Sequence, residues 1–276
     1  MVRMQSSGSL FLVAVALTPF LVQGQTLGSE VRPTIGPGPR PGYLKPEQMP
    51  EVARIVPPAP TSGDARFTED MAIFHATRQL EGSPRWALAQ SDDNVSTAGL
   101  CQAFSCSLGV TLTRETAPKV TALLTRANSD AGAASNVLKQ RYQHKRPFQV
   151  DDAHVCLSSQ GKTALERSPD YPSGHTTAAW EAGLILSELA PDAATGILAR
   201  ARAFGQSRVV CGVHNASAVD AGWMTATAVF AVQNASPEFR GDVEAARAEL
   251  AQLRSPIKAK AESCALETQT LSKNPW

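Results

Sequence analysis

Three short segments of this chain concentrate cations, imidazoles and rigid turns. Lys139 is followed after six residues by Arg146-Pro147. Pro172-Ser173-Gly174-His175 comes next, and then Ser207-Arg208, followed after five residues by His214. Each alone has an ordinary explanation: Lys139 and Arg146 as helix-end cations, Ser173 as a cap, His214 as a satisfied core histidine. Together they describe an oxyanion site. A helix opening at Ser-Gly offers free N–H groups and the positive end of its dipole to an anion. Lys139, Arg146 and Arg208 supply three cations for the remaining oxygens, arginine in bidentate fashion. His175 and His214 are then enough for a general acid and a nucleophile, which is what phosphoryl transfer without a metal requires.

The elements that carry these segments read as helices. Phe67, Met71, Phe74 and Arg78 step by four, three and four, with Asp64 as a candidate cap. A long stripe runs through Val120, Leu123, Leu124, Ala127, Ala131, Ala134 and Leu138, behind Pro118 in a first-turn position. The segment after Pro172 is apolar nearly all round, which places it at the centre of a bundle. Residues 192–205, 217–232 and 237–253 predict three more helices, and no alternating strand intervenes. The expected fold is all-α: one helical domain over residues 62–254, a proline-rich extended leader over 25–61 and a polar tail over 255–276. Nine of the 19 prolines fall between Val31 and Pro60, and each removes a backbone donor and fixes φ.

Composition narrows the function classes. In 276 residues, 26 Lys and Arg against 25 Asp and Glu leave a net charge of +1, with 6% aromatics, which argues against a nucleic-acid surface. The only apolar run near spanning length follows Arg3, covers Leu10 to Leu21, and ends at Val22-Gln23-Gly24 with small residues at −3 and −1. It reads as a signal peptide over residues 1–24, implying export to the periplasm or beyond, with no membrane span in the mature chain. Five cysteines (Cys101, Cys106, Cys156, Cys211, Cys264) then allow two disulfides and one thiol. No cysteine pair has zinc-site spacing, and no metal or other cofactor is expected. His75 and His154 read as structural, His144 as a solvated loop side chain, and the sequons at Asn94, Asn215 and Asn234 as chance.

The order and internal spacing of the three segments resemble the signature of the phosphatidic-acid phosphatase type 2 superfamily, which includes vanadium haloperoxidases. Within it the chain is most similar to the class A bacterial non-specific acid phosphatases. Tyr43-Leu44, the Pro57-Pro58-Ala59-Pro60 leader, Tyr171 and the run from Gly205 to Gly212 add to the likeness, which covers roughly residues 42–253. The resemblance implies that His214 attacks phosphorus and forms a phosphohistidine, and that His175 protonates the leaving group. It implies phosphate binding by Lys139, Arg146, Ser173, Gly174 and Arg208, small phosphomonoesters as substrates, an acidic optimum and a homo-oligomer. On this layout Cys156 is expected to pair with Cys211, tethering the loop between the first two motifs to the floor of the site. A local Cys101–Cys106 bridge is the rival.

One position departs from the family. An Asp that orients the nucleophilic His is expected four residues after it, where this chain has Ala218. Asp220 is two residues late; on a helix a six-residue step swings to another face, and Ser217 with Asp220 suits a capping box. Ser217, Asn215, a backbone carbonyl or a carboxylate from elsewhere are the other candidates to hold the His214 Nδ1–H. The missing Asp leaves one alternative to an active phosphatase, an oxyanion-binding protein of low turnover; the resemblance to the vanadate-binding haloperoxidases implies a second, a vanadate-dependent haloperoxidase.

Overall fold

A computed structural model describes residues 42–254 and 262–276; the expected signal peptide and the first part of the leader lie outside them. Among the described residues there are helices and no strand. In chain order the α-helices are α1 (Val52–Ile55), α2 (Ala65–Arg78), α3 (Pro84–Ser91), α4 (Thr97–Ala103), α5 (Ser105–Leu108), α6 (Pro118–Tyr142), α7 (Pro147–Val150), α8 (Ser159–Glu166), α9 (Gly174–Leu189), α10 (Ala194–Val210), α11 (Ala216–Gln233), α12 (Pro237–Leu253) and α13 (Glu262–Leu271). The starts follow the sequence: Pro84, Pro118, Pro147 and Pro237 open helices where their missing N–H costs nothing. The Ser83, Ser96, Ser158, Ser173 and Ser236 side chains cap their first turns.

Helix α9 is the axis, packed by α6, α10, α11 and α12. It buries Ala178, Ala179, Ala182, Ile185, Leu186 and Leu189 against Phe104, Leu123, Phe204 and Phe239. Small residues let its neighbours close on its N-terminus. A β-carbon on Gly205 would lie 2.9 Å from the Thr176 side chain, and one on Gly222 would lie 2.9 Å from the Ser173 carbonyl oxygen. Larger residues at either place would push α10 or α11 away from the turn that carries Ser173 and His175.

Two flanking regions differ from expectation. From Gly42 onward the leader is not a free extended lead-in. The Tyr43 N–H donates to Asp130 at 2.8 Å, its hydroxyl to Asp242 at 2.8 Å, and the Arg126 guanidinium sits 3.9 Å from its ring centroid. Val52 and Val56 are buried beside Ala131, Ala134, Leu138 and Tyr171. Sparse apolar residues among prolines suffice here because α6 and α12 supply the partners. The tail likewise contains α13, joined to α5 by a Cys106–Cys264 disulfide and to α10 by an Arg200–Glu267 bond of 3.3 Å. Cys101 is therefore a buried free thiol and the local Cys101–Cys106 bridge does not form. The Cys156–Cys211 bridge is present, so the segment between α7 and α8 is tied to the end of α10.

Candidate active site

Everything predicted to do chemistry lies at one end of this bundle. Ser173 caps α9, its hydroxyl accepting from the Thr176 N–H at 3.3 Å and the Thr176 hydroxyl at 2.9 Å, and its own N–H donates to the Ala218 carbonyl at 2.8 Å. The start of α9 is thus strapped to the start of α11, right after His214. Gly174 leaves room for Lys139, whose Cε would stand 4.0 Å from a β-carbon there. The Lys139 ammonium donates to the Pro169 carbonyl. Burial, then the nearby Arg146 charge, lowers its pKa to about 8, against the pull of Asp170.

The two arginines are the largest side chains buried completely. Arg146 donates from Nε to the Leu165 and Ser168 carbonyls at 3.0 and 2.8 Å, and from Nη1 to the Val213 carbonyl at 2.7 Å. Arg208 donates from Nη2 to Asp93 Oδ1 at 2.6 Å and from Nη1 to the Asp92 carbonyl at 3.3 Å. Its Nε–H is buried and has no acceptor in the described chain. An orphan donor of this kind costs about 1–3 kcal/mol unless something accepts from it. Asp92 is held from behind by Arg200, at 3.1 and 2.5 Å, and by the Ser207 hydroxyl at 2.6 Å, so the loop reaching Arg208 is anchored.

Arg78, on α2, was not singled out in the sequence as chemistry, yet it shapes the path to His214. Its guanidinium donates to the Val209, Val210 and Cys211 carbonyls at 3.1, 2.6 and 3.4 Å, at the C-terminal end of α10. Carbonyls in a helix's last turn lack the usual donors four residues on; here Val209 also accepts from the Gly212 N–H at 2.8 Å and Cys211 from the Cys156 N–H at 2.9 Å. Gly212, at φ 80°, turns the chain directly beneath this guanidinium, where a β-carbon would fall 2.4 Å from Nη1.

His214 is buried, with Nδ1 2.6 Å from Asp170 Oδ1 and Nε2 3.1 Å from Arg146 Nη1. A guanidinium only donates, so Nε2 accepts; the carboxylate only accepts, so Nδ1 carries the proton. Burial first, then the Arg146 charge, lowers the His214 pKa to about 3 despite Asp170. With Nδ1 protonated and Nε2 accepting, the imidazole is neutral and its lone pair lies on Nε2. His175 is one-fifth exposed, with Nε2 2.9 Å from the Asp93 carbonyl and 3.7 Å from its carboxylate. Burial, then Arg208, holds its pKa well below the usual histidine value.

Asp170 is the residue that sequence reasoning missed. Its Oδ1 also accepts from the Asn215 N–H at 3.3 Å; Oδ2 accepts from the Asn215 side-chain amide at 2.8 Å and lies 3.2 Å from His144 Nδ1. Burial disfavours its charge, but the bonds from His144 and His214 and the Arg146 charge outweigh it and keep Asp170 ionised below the usual range. The signal was its place two residues before Pro172, where the backbone entering the central motif carries it into the site. The candidates near Ala218 are accounted for. The Ser217 hydroxyl and N–H bind Asp70, Asn215 is the N-cap position of α11 with its amide turned to Asp170, and Asp220 is exposed. No Ser217–Asp220 capping box forms. His144 is no solvated loop side chain: it lies against Asp170, with Nε2 2.8 Å from the Pro60 carbonyl.

A bundle whose central helix begins at a Ser-Gly-His turn, flanked by two buried arginines and a carboxylate-bound histidine, defines a class. Residues 119–241 match the model of the PAP2 superfamily, and the chain belongs to that superfamily. Within it the chain groups with bacterial acid phosphatases. It is 40% identical over 202 residues to an acid phosphatase of Zymomonas mobilis, covering 72% of this chain and 75% of that protein. It is 35% identical over 213 residues to a non-specific acid phosphatase of Providencia stuartii, covering 77% and 86%. A non-specific acid phosphatase of Salmonella typhimurium is 30% identical over 237 residues, covering 86% and 91%. Among the described residues no helix is long and apolar enough to cross a membrane.

Proposed function

We propose that this chain is an exported acid phosphatase that hydrolyses small phosphomonoesters through a phosphohistidine on His214, without a metal. The observation that carries the reading is the His214 ring: Nδ1–H bound to Asp170, Nε2 unprotonated, Arg146 beside it. The phosphate is held by Lys139, Arg146, Arg208, Ser173 and the Gly174 N–H, and it meets the orphan Arg208 Nε–H. These groups supply the positive charge that a metal supplies elsewhere. His214 Nε2 attacks phosphorus as the ester P–O bond breaks, and His175 gives its proton to the departing oxygen, releasing the alcohol. Asp170 stabilises the positive charge that develops on His214. Water then attacks the phosphohistidine, His175 takes its proton, and inorganic phosphate leaves with Nε2 restored.

The same electrostatics support an acidic optimum. His175 in the free site is driven towards neutrality by burial and Arg208; an anion in the cradle offsets that charge and favours the protonated acid. His214 Nε2 accepts from the Arg146 guanidinium, which leaves its lone pair free of a proton and available for attack. Export rests on the leader sequence and is supported by two disulfides, which persist in oxidising compartments. A homo-oligomer rests on the family resemblance. The oxyanion-binding alternative rested on Ala218, and a carboxylate at His214 removes its motive. The test is hydrolysis of p-nitrophenyl phosphate from pH 4 to 8 with EDTA, for the mature protein and His214→Ala. Activity greatest at acidic pH and abolished in His214→Ala is expected; an alkaline optimum or dependence on added divalent metal contradicts the reading.

A further inference from the structure

We propose that His144 is a positioning residue for this reaction: held between Asp170 and the Pro60 carbonyl, it fixes the carboxylate that orients His214 and couples the leader to the nucleophile. The inference rests on the phosphohistidine reading above. Both ring nitrogens of His144 face acceptors, Nδ1 facing Asp170 Oδ2 at 3.2 Å and Nε2 facing the Pro60 carbonyl at 2.8 Å. A neutral imidazole has one N–H and leaves one of these acceptors facing a lone pair; the imidazolium satisfies both. The surroundings favour that charged form. Asp170 comes from the segment before α9 and Asp70 from α2, and both are buried carboxylates. Two uncharged groups also lie close: the Tyr171 ring, edge-on with centroids 6.3 Å apart, and Asn215, bonded to the same Asp170. The nearby cations, Lys139 and Arg146, act on Asp170. Burial opposes charge on His144, but the bond and charge of Asp170, then Pro60 and Asp70, outweigh it and raise its pKa above the usual value.

The leader is anchored at this point by other bonds. Tyr171, next to Asp170, donates its hydroxyl to the Pro57 carbonyl at 2.7 Å, and Arg66 donates to the Pro58 carbonyl at 3.1 Å. Residues 57–60 thus form a strap across the back of Asp170, and His144 is the side chain that links strap to carboxylate. In this chain Asp170 reaches His214 from a segment 44 residues away rather than from the next helical turn, so it needs a support of its own. When His144 loses its proton, a lone pair meets one acceptor, the support weakens, and turnover falls.

The test compares wild type, His144→Ala, His144→Gln and Asp170→Asn in p-nitrophenyl phosphate hydrolysis from pH 4 to 9, with proton NMR of the imidazole N–H signals. His144→Ala is expected to lower kcat about tenfold, the scale of one charge-assisted hydrogen bond, with KM little changed. His144→Gln offers amide donors without charge; it recovers part of kcat, and its kcat falls less steeply with rising pH than the wild type's, because only the His175 titration remains. Wild-type kcat and pH profile in His144→Gln, or in a folded His144→Ala, overturn the proposal. If the wild type hydrolyses nothing, the phosphatase reading fails, and NMR judges the contact alone. A far-downfield His214 Nδ1–H signal that moves in His144→Gln supports the link; one that stays in place overturns it.

Discussion

Replacing Asp170 by Asn removes one charge and almost no volume, and the structure indicates what that does. All the groups around the carboxylate are donors: the His214 Nδ1–H and Asn215 N–H at Oδ1, and His144 with the Asn215 amide at Oδ2. An amide NH2 therefore meets a donor whichever way it is turned. The least costly arrangement turns the carbonyl oxygen to His214 and strips the Nδ1 proton from His144, leaving the nucleophile oriented by a neutral dipole. Loss of a hydrogen bond to a charged group costs about 1.5–3 kcal/mol, or about 10- to 150-fold in rate. The Asp→Asn change in serine-protease triads, which also upsets the tautomer, costs about 10⁴. We expect kcat of Asp170→Asn to fall by about 10²–10⁴, with KM changed only slightly because Lys139, Arg146 and Arg208 remain. The assay is steady-state p-nitrophenyl phosphate hydrolysis at acidic pH on protein with a wild-type thermal transition. A kcat within about threefold of wild type would refute the argument, since that is less than the charge-assisted bond alone is worth.

The other predictions use the same geometry. Ala218→Asp on the wild-type background should not raise kcat, because His214 already has a carboxylate; in Asp170→Ala the same change should recover about tenfold or more of the lost activity, measured by the same assay. Glu181, buried in α9, has its pKa pushed well above the usual carboxylate value by burial and then by the Asp130 charge, against the Gln233 amide. The folded chain keeps a proton that the unfolded chain releases near its ordinary value of about 4.3. Stability therefore falls as pH rises above that value, by up to about 1.4 kcal/mol per unit until Glu181 ionises in the fold. Glu181→Gln should flatten this slope in urea titrations between pH 4 and 8; an unchanged slope would contradict it. Replacing Cys156 and Cys211 by Ala opens a link spanning 55 residues, and it should cost about 4 kcal/mol on the chain-entropy scale and lower kcat through the loosened end of α10. Urea midpoints and steady-state kinetics read the two effects.

The helices were legible because their apolar stripes are long and their starts carry Pro or Ser, as in α6, α9 and α12. The residues of the three motifs were legible as candidates because each motif is compact in sequence. Asp170 was not, because its bond to His214 spans 44 residues and no local period announces such a contact. His144 was misread for the same reason: its partners, Asp170 and Pro60, come from two separate segments. The leader and tail looked polar and irregular because their few anchors, Tyr43, Val52, Val56 and Cys264, act through partners on distant helices and not through a pattern of their own. The Cys106–Cys264 pairing spans 158 residues, a distance at which spacing carries no information.

Transfer of the phosphoryl group to His214 is the claim on which the rest depends. Rapid mixing with p-nitrophenyl phosphate in EDTA, quenching in base to preserve phosphoramidate, and peptide mass spectrometry would read it directly. We expect one phosphoryl group on the peptide that holds His214, formed within a turnover, absent in His214→Ala and accumulating in His175→Ala when a substrate with a good leaving group is used. Steady hydrolysis with no labelled His214 peptide under any of these conditions would contradict the account.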